Sequence, residues 1–304
     1  MATEIPFRRE FTFEYKRPER LSPLIRRVVA HNPSPFTFKG TGTYIVGTGK
    51  VAVIDPGPNL PEHVDALMVA LDGETVTHIV VTHTHGDHSP AAAPLKQATG
   101  AKTYAYGPHG SGRAEAHQHG GNMEESGDRD FIPDVEMREG DTVEGPGWHL
   151  SAVETPGHTS NHLCFALAEE KTLFSGDHVM GWSTSVIAPP DGDMASYMRS
   201  LEKLLHRDDA LYWPTHGASI IAPKPHVQAF IAPRRERSDD ILKAIAAGDE
   251  TIAAIVARVY VGLDPKLVIP AGRSVLAHLI ELVETRRVHC DGPPSIEARY
   301  QIAR

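Results

Sequence analysis

The sequence is poor in several features, each of which would have pointed to a particular class of protein. It has only 2 cysteines in 304 residues, so it is neither a disulfide-stabilised secreted scaffold nor a cysteine-rich zinc module. It contains no run of about eighteen apolar residues, which excludes a transmembrane helix. Residues 1–20 lack the apolar stretch of a secretion signal. These absences predict a cytoplasmic location, free thiols and no membrane contact.

Positive charge is also scarce. The chain has 30 Lys and Arg against 39 Asp and Glu, for a formal net charge of −9. The segment after Pro233 is close to neutral, so the excess acid lies before it. Strong nucleic-acid binding requires neutralisation of phosphates and stacking platforms for bases. The composition therefore argues against high RNA affinity, unless a local groove is positive.

Apolar spacing, together with turn, capping and proline signals, predicts alternating strands and helices. Strands or hairpins are expected over 41–55, 78–81, 102–106 and 142–174, and helices over 61–71, 89–98, 194–205 and 223–247. Near the end of the chain, helices over 251–260 and 271–284 precede a β-like tail over 287–300, which is the order of a winged helix. We expect an α/β (α+β) catalytic domain over 1–233, which includes the start of a linker helix, followed by the rest of that helix and a winged-helix-like domain over 234–304.

The sharpest local signal is THTHGDH over 82–88, at the end of a predicted buried strand. In a loop at a strand end, side chains two residues apart can point into one cavity. His83 and His85 can therefore share one metal ion. Asp87 and His88 are then placed to hold a second ion.

Three later turns, each after a β-like stretch and each with a neighbouring Gly or Pro, offer further ligands. They carry His158, Asp177 and His216. Imidazole and carboxylate donors suit zinc best, with iron and manganese as alternatives. Two ions about 3.5–4 Å apart can share a water or hydroxide of near-neutral pKa and stabilise charge in the transition state. The donor set therefore predicts a hydrolase.

In this order, HxHxDH, PGHT, GDH and THG, together with Asp-Pro-Gly at 55–57, resemble the signature of the metallo-β-lactamase superfamily. The resemblance implies an αββα sandwich with two metal ions at one edge and a metal-bridging hydroxide as the nucleophile. Asp87 would both hold an ion and orient that nucleophile. The implied ligands are His83, His85 and His158 for one ion, Asp87, His88 and His216 for the other, and Asp177 as the bridge.

Further stretches favour one branch of this superfamily. Residues 32–44, Gly181-Trp182 and 189–193 closely resemble the lactamase-β-2-like group, which also carries a C-terminal winged-helix-like domain. Zinc β-lactamases are exported and usually have Cys or Ser at the position of Asp177, so antibiotic hydrolysis is at most a weak side activity. One departure is the segment 233–236, where relatives often have His-Arg in a basic stretch. That difference weakens any carry-over of a substrate role to this segment.

The substrate class stays open at this point. Animal members of the group resemble single-strand endoribonucleases, whereas bacterial members are described mostly as metal-dependent hydrolases. We expect a small ester, thioester or lactone, with single-stranded RNA as the alternative. The least favoured hypothesis is a non-enzymatic nucleic-acid-binding protein with structural metals. A homodimer is also compatible with the sequence.

A second set of residues is predicted to support the chemistry. His162 follows His158 by four residues and would orient a ligand or give a proton to the leaving group. His178 is a weaker candidate for that proton transfer. Asp55 would bond a ligand imidazole or close its own turn, and His117 and His119 lie in a glycine-rich loop from which they could reach substrate.

Overall fold

The computed structural model describes residues 5–113 and 127–303. Its larger sheet has 7 strands that lie side by side in chain order. The first four pair in antiparallel fashion and the rest in parallel. They are β1 (Glu19–Arg20), β2 (Ile25–Val29), β3 (Gly42–Thr48), β4 (Lys50–Ile54), β5 (Thr75–Val80), β6 (Lys102–Ala105) and β7 (Val135–Glu136).

A second sheet of 5 strands has the order β12-β11-β10-β9-β8. Its strands are β8 (Thr142–Gly145), β9 (Trp148–Glu154), β10 (Leu163–Leu167), β11 (Thr172–Gly176) and β12 (Leu211–Pro214). Strands β11 and β12 are parallel, as are β4 and β5 of the first sheet. Because parallel strands end at the same edge of a sheet, the residues that follow each pair lie close together.

Helices cover both outer faces of the paired sheets. Helices α1 (Pro61–Ala70) and α2 (Ala92–Thr99) share a core with the first sheet, and α3 (Met194–Leu205) and α4 (Pro223–Ala246) share one with the second. The inner faces of the sheets meet in a third core, which contains Tyr44, Trp148, Phe165 and Phe174. This arrangement confirms the predicted αββα sandwich.

The C-terminal elements have a separate core, to which the end of α4 contributes. They are α5 (Ile252–Val259), α6 (Val268–Glu284), β13 (Val288–Cys290) and β14 (Tyr300–Ile302). Helix α6 begins at Val268 rather than at the predicted Ala271, because Pro270 falls in the first helical turn and has no helical hydrogen bond to lose there. Helix α4 continues through Pro233, so the predicted domain boundary lies inside the linker helix, whose start the prediction assigns to the first domain.

Both cysteines are free, as expected, and both are buried. Burial raises the pKa of the Cys164 thiol to about 12, so it stays protonated at neutral pH and packs as a small apolar side chain. Within residues 5–113 and 127–303, no helix combines the length and apolarity needed to cross a membrane.

Trp148 links the two sheets and generates a stability prediction. Its ring is fully buried, and its Nε1 donates a hydrogen bond to the Lys50 carbonyl at 2.9 Å. Trp148→Phe removes this donor and leaves a small cavity, so the free energy of unfolding should fall by about 1–3 kcal/mol in urea titrations. Val69→Ala, at a side chain that is 72% exposed, should change it by less than about 0.5 kcal/mol. Equal midpoints for the two variants would contradict this account of the interface.

Candidate metal centre

The first group of candidate ligands consists of three histidines. His83 and His85 lie on the loop after β5, and His158 lies on the turn after β9. His85 Nδ1 is 3.0 Å from His83 Nε2 and 3.2 Å from His158 Nε2. These ligand atoms lie within 4.8 Å of one another, so they can share one ion.

The second group combines a carboxylate with two imidazoles. Asp87 Oδ2 lies 3.2 Å from His216 Nε2 and 3.4 Å from His88 Nε2. Asp87 and His88 come from the loop after β5, whereas His216 follows β12 in the other sheet. The second group therefore forms only when the two halves of the sandwich meet.

Asp177, which directly follows β11, lies between the two groups. Its Oδ2 is 3.3 Å from His216 Nε2, 3.6 Å from His88 Nε2 and 3.8 Å from His158 Nε2. One carboxylate oxygen thus has imidazole nitrogens of both groups within reach. That is the position expected of a group that bridges two ions.

Hydrogen bonds set the orientation of each imidazole. A neutral imidazole carries one N–H, so a ring that donates through Nδ1 presents the lone pair of Nε2. His158 Nδ1 donates to the Val186 carbonyl at 2.6 Å, and His216 Nδ1 donates to the Gly40 carbonyl at 3.2 Å. His83 Nδ1 lies 3.0 Å from Thr82 Oγ1. The Nε2 atoms of these rings consequently face the centre of the cluster.

Asp55 forms hydrogen bonds to the candidate ligand His88 and to residues next to the other ligands. Its carboxylate accepts hydrogen bonds from His88 Nδ1 at 2.9 Å, Thr82 N at 2.7 Å, Thr82 Oγ1 at 2.8 Å and Thr215 Oγ1 at 3.0 Å. The backbone of Asp55 has φ +48°, a left-handed conformation that aspartate adopts more readily than most residues with a Cβ. Since its carboxylate bonds His88, Asp55 fulfils the first of its two predicted roles, which is to bond a candidate ligand imidazole.

Two glycines are required next to the candidate ligands. Gly157 has φ +141°, and a Cβ there would lie 2.3 Å from Tyr197 Cα. Gly176 has φ +51°, and a Cβ would lie 2.6 Å from His162 Nε2. A larger residue would displace the turns that present His158 and Asp177.

The charges of the two groups differ. Burial lowers the pKa of His85 to about 3. Burial also opposes protonation of His216, but the charges of Asp177 and Asp87 outweigh it and raise the pKa of His216 to about 10. The same carboxylates and Asp55 raise the pKa of His88 well above its usual value, again against the effect of burial. Without a cation, the second group therefore holds protons beside its carboxylates.

The donor set fits divalent metal ions. His88 Nε2 and Asp177 Oδ1 are buried and have no hydrogen-bond partner among the described residues. An unsatisfied buried polar atom costs about 1–3 kcal/mol, and a bound cation would remove that cost. Mixed imidazole and carboxylate donors are typical of catalytic metal sites, whereas structural zinc sites are usually rich in cysteine.

The supporting histidines lie behind the cluster. His162 is 1% exposed, and its Nε2 accepts a hydrogen bond from the Asp177 backbone N–H at 3.3 Å. Its Nδ1 lies 2.9 Å from Thr155 Oγ1. His178 is fully buried, with its ring 4.8 Å from that of Tyr197, so its side chain is not accessible from solvent. His117 and His119 fall outside the described residues.

Sequence reasoning missed the threonines that hold the cluster. Thr41 Oγ1 donates to Asp87 Oδ2 at 2.9 Å, while Thr82 and Thr215 both bond Asp55. A signal was present for the last two, because each directly precedes a candidate histidine ligand. Nothing local marks the carbonyls of Gly40 and Val186, which become partners only in the folded chain.

Family models agree with this architecture. The model described as "Metallo-beta-lactamase superfamily" matches residues 37–216, and that described as "Beta-lactamase associated winged helix domain" matches residues 251–293. The chain belongs to the metallo-β-lactamase superfamily of hydrolases. Its C-terminal module is a winged helix domain, as predicted from the order of its elements.

Individual relatives confirm the expected likeness to the lactamase-β-2-like group. The chain is 28% identical to the lactamase-like protein adaB of Aspergillus niger, over 97% of this chain and 95% of that protein. It is 32% identical to the beta-lactamase-like protein 2 homolog of Caenorhabditis elegans, over 76% of this chain and 74% of that protein. It is 31% identical to an atrochrysone carboxyl ACP thioesterase of Claviceps purpurea, over 75% of this chain and 67% of that protein.

A solved structure supports the fold over nearly the whole chain. A beta-lactamase domain protein from Burkholderia ambifaria superimposes with a TM-score of 0.77 at 21% identity, covering 95% of this chain and 94% of that one. At this identity the likeness concerns the fold. It includes the C-terminal elements as well as the sandwich, since the coverage exceeds the range of the catalytic family model.

Asp55 yields a prediction about metal affinity. Asp55→Asn replaces one accepting oxygen by an NH₂ group, which then faces N–H and O–H donors. We expect zinc affinity to fall about 10- to 100-fold, as for other groups that orient metal ligands, in titrations against a chromophoric chelator. Asp128→Asn is the control, because Asp128 accepts from Ser89 Oγ at 2.7 Å and, among the residues that the structure describes, bonds no candidate ligand side chain. Unchanged affinity in Asp55→Asn would refute the orienting role.

Proposed function

We propose that the protein is a dinuclear metal-dependent hydrolase of small thioesters, esters or lactones, with thioesters as the first choice. The observation that carries the proposal is the position of Asp177 Oδ2, within 3.8 Å of imidazole nitrogens of both groups. The preference for thioesters rests on the relative named as an ACP thioesterase. A small-molecule substrate also agrees with the acidic composition.

The proposal assigns the donor atoms to two ions. When bound, divalent ions lower the pKa of a coordinated water and stabilise an oxyanion. Zinc is the first choice for both, and iron and manganese are the alternatives to be separated by elemental analysis. The proposed ligands are His83, His85 and His158 for the first ion, Asp87, His88 and His216 for the second, and Asp177 for both.

Two further side chains have distinct proposed roles. The side chain of Asp87 is 25% exposed, and Thr41 holds its Oδ2. Asp87 is therefore proposed both to hold an ion and to orient the attacking water. His162 is buried and faces the backbone of Asp177, which favours positioning of that carboxylate over the alternative of proton transfer to the leaving group.

Single-stranded RNA remains the competing substrate. A phosphodiesterase acting on RNA needs unpaired cations that lead the backbone to the metals. Near the cluster, Arg113 forms an ion pair with Asp191 at 2.9 Å. Its charge is therefore compensated by protein. This pairing favours a small substrate, and RNA becomes one arm of the test.

The first test is turnover by metal-quantified protein on a panel of thioesters, esters, lactones, a β-lactam and single-stranded RNA. Asp177→Ala should lower kcat/KM for the preferred substrate by more than about 100-fold and release metal, because the loss of a ligand exceeds the effect of losing a group that orients one. Asp134→Ala serves as the control, since Asp134 bonds Lys96 and Thr103 away from the cluster.

The outcomes separate the hypotheses. Thioester turnover that depends on Asp177 supports the proposal. RNA cleavage with the same dependence would replace it by the endoribonuclease alternative. An Asp177→Ala protein with two bound metals and normal turnover would refute the bridging mechanism.

Metal removal tests the non-enzymatic alternative. The cores between the sheets and under the helices consist of apolar side chains, so the chelator-treated protein should keep its circular dichroism spectrum. Its hydrolase activity should disappear and return when zinc is added back. Structural zinc contributes directly to folding. Unfolding on metal removal would therefore favour a structural role for the metals.

A further inference from the structure

The segment between β11 and α3 contains the candidate ligand Asp177 and contacts the candidate ligand His158. Ser185 Oγ donates to the carbonyl of Asp177 at 2.6 Å and lies 2.9 Å from that of His178. Val186 directly follows Ser185, and its carbonyl accepts a hydrogen bond from His158 Nδ1 at 2.6 Å. Residues 177–193 are all described and form no helix or strand. The position of this segment therefore depends on contacts from other parts of the chain.

Arg234 of helix α4 supplies such a contact. Its Nη2 donates to the Ser185 carbonyl at 2.5 Å, and its guanidinium carbon lies 5.3 Å from the centre of the Tyr197 ring. Tyr197 of α3 in turn donates from its hydroxyl to the His178 carbonyl at 2.9 Å. Two helices thus hold the segment from its outer side.

Among the described residues, no carboxylate forms an ion pair with Arg234. Its side chain is partly buried and borders a cavity. Partial burial lowers its pKa, and among the described residues no carboxylate oxygen lies within 4.0 Å of its guanidinium. A partly buried cation with no neighbouring anion depends on the hydrogen bonds that it donates. Its neighbour Arg235 differs, since it is exposed and pairs with Glu202 of α3 at 2.6 Å. In the described part of the chain, the one side-chain hydrogen bond of Arg234 goes to Ser185.

From this geometry we infer that Arg234 is a positioning residue of the metal centre. It holds the backbone at Ser185, and through it the ring of His158 and the backbone of Asp177. The C-terminal part of the chain then helps to shape the metal centre without touching it. This inference rests on the metal binding that we assign to His158 and Asp177 above.

The test compares two neighbouring arginines. Arg234→Ala should lower zinc affinity about 10- to 100-fold in competition with a chromophoric chelator, the range found for groups that orient metal ligands. Arg235→Ala removes an exposed α3–α4 ion pair, which contributes little, and should stay within about two-fold of the wild type. The inference fails if Arg234→Ala binds zinc as the wild type does, or if both variants lose affinity equally.

A rescue experiment separates positioning from general destabilisation. Arg234 lines a cavity of about 310 Å³ between α3, α4 and α6, together with His278 and Glu281. Millimolar guanidinium can enter this cavity in Arg234→Ala and should restore most of the lost zinc affinity, whereas sodium at equal ionic strength should not. Equal effects of the two cations would overturn the inference.

Two further outcomes keep the test decisive. If Arg234→Ala does not fold, Arg234→Lys replaces it, because lysine keeps the charge but not the planar donor fork. That variant should show a smaller but measurable loss of zinc affinity, and wild-type affinity in it would overturn the inference. A wild-type protein that binds no divalent metal would instead refute the proposed function itself.

Discussion

One buried carboxylate, that of Asp55, joins the two halves of the sandwich at the edge where the candidate ligands meet. It follows β4 and accepts hydrogen bonds from Thr82 and His88 of its own half and from Thr215 of the other half. A buried carboxylate is stable only when its oxygens are fully hydrogen-bonded. Both sheets must therefore bring their donors to the same point, and the positions of the histidines follow from that requirement.

Regular structure on both sides anchors the candidate ligands. The candidate ligands begin within a few residues of the ends of β5, β9, β11 and β12, so sheet hydrogen bonds limit their movement. Glycines at 157 and 176 let the chain turn sharply where a side chain would collide with Tyr197 or His162. Donor atoms held in this way need little reorganisation when an ion binds. The charge imbalance between the two groups is a consequence of the same geometry, because Asp87 and Asp177 lie beside His88 and His216.

The winged helix domain and the catalytic part of the chain share helix α4. Helix α4 covers the second sheet with its first half and joins the C-terminal core with its last turns. Tyr197 of α3 connects this region to the site, because it packs against Gly157 on one side and bonds His178 on another. Winged helices occur with many functions. In this chain, helices α4 and α6 share a core with α3, whose Tyr197 lies beside the turn that carries His158.

Much of the architecture could be predicted because its signals are local. Periodicity over about ten residues indicated α3, and the prolines and charges over 223–247 indicated the linker helix. The succession of two helices and a β-like tail indicated the winged helix, and the run over 82–88 indicated four candidate ligands. The predicted start of α6 at Ala271 was wrong, since proline is tolerated in the first turn of a helix and α6 includes Pro270. The role of His162 stayed ambiguous, because spacing cannot tell whether a strand histidine faces substrate or the backbone of Asp177.

The order of residues alone thus specified the donor types, their succession along the chain and the class of fold, because these depend on short-range pattern. Only the folded chain decided which donors face one another and what holds them. The carbonyl of Val186 reaches His158, and Arg234 reaches Ser185, across 28 and 49 positions of sequence. Such pairs form when separate elements pack together, and no local property of either residue encodes them.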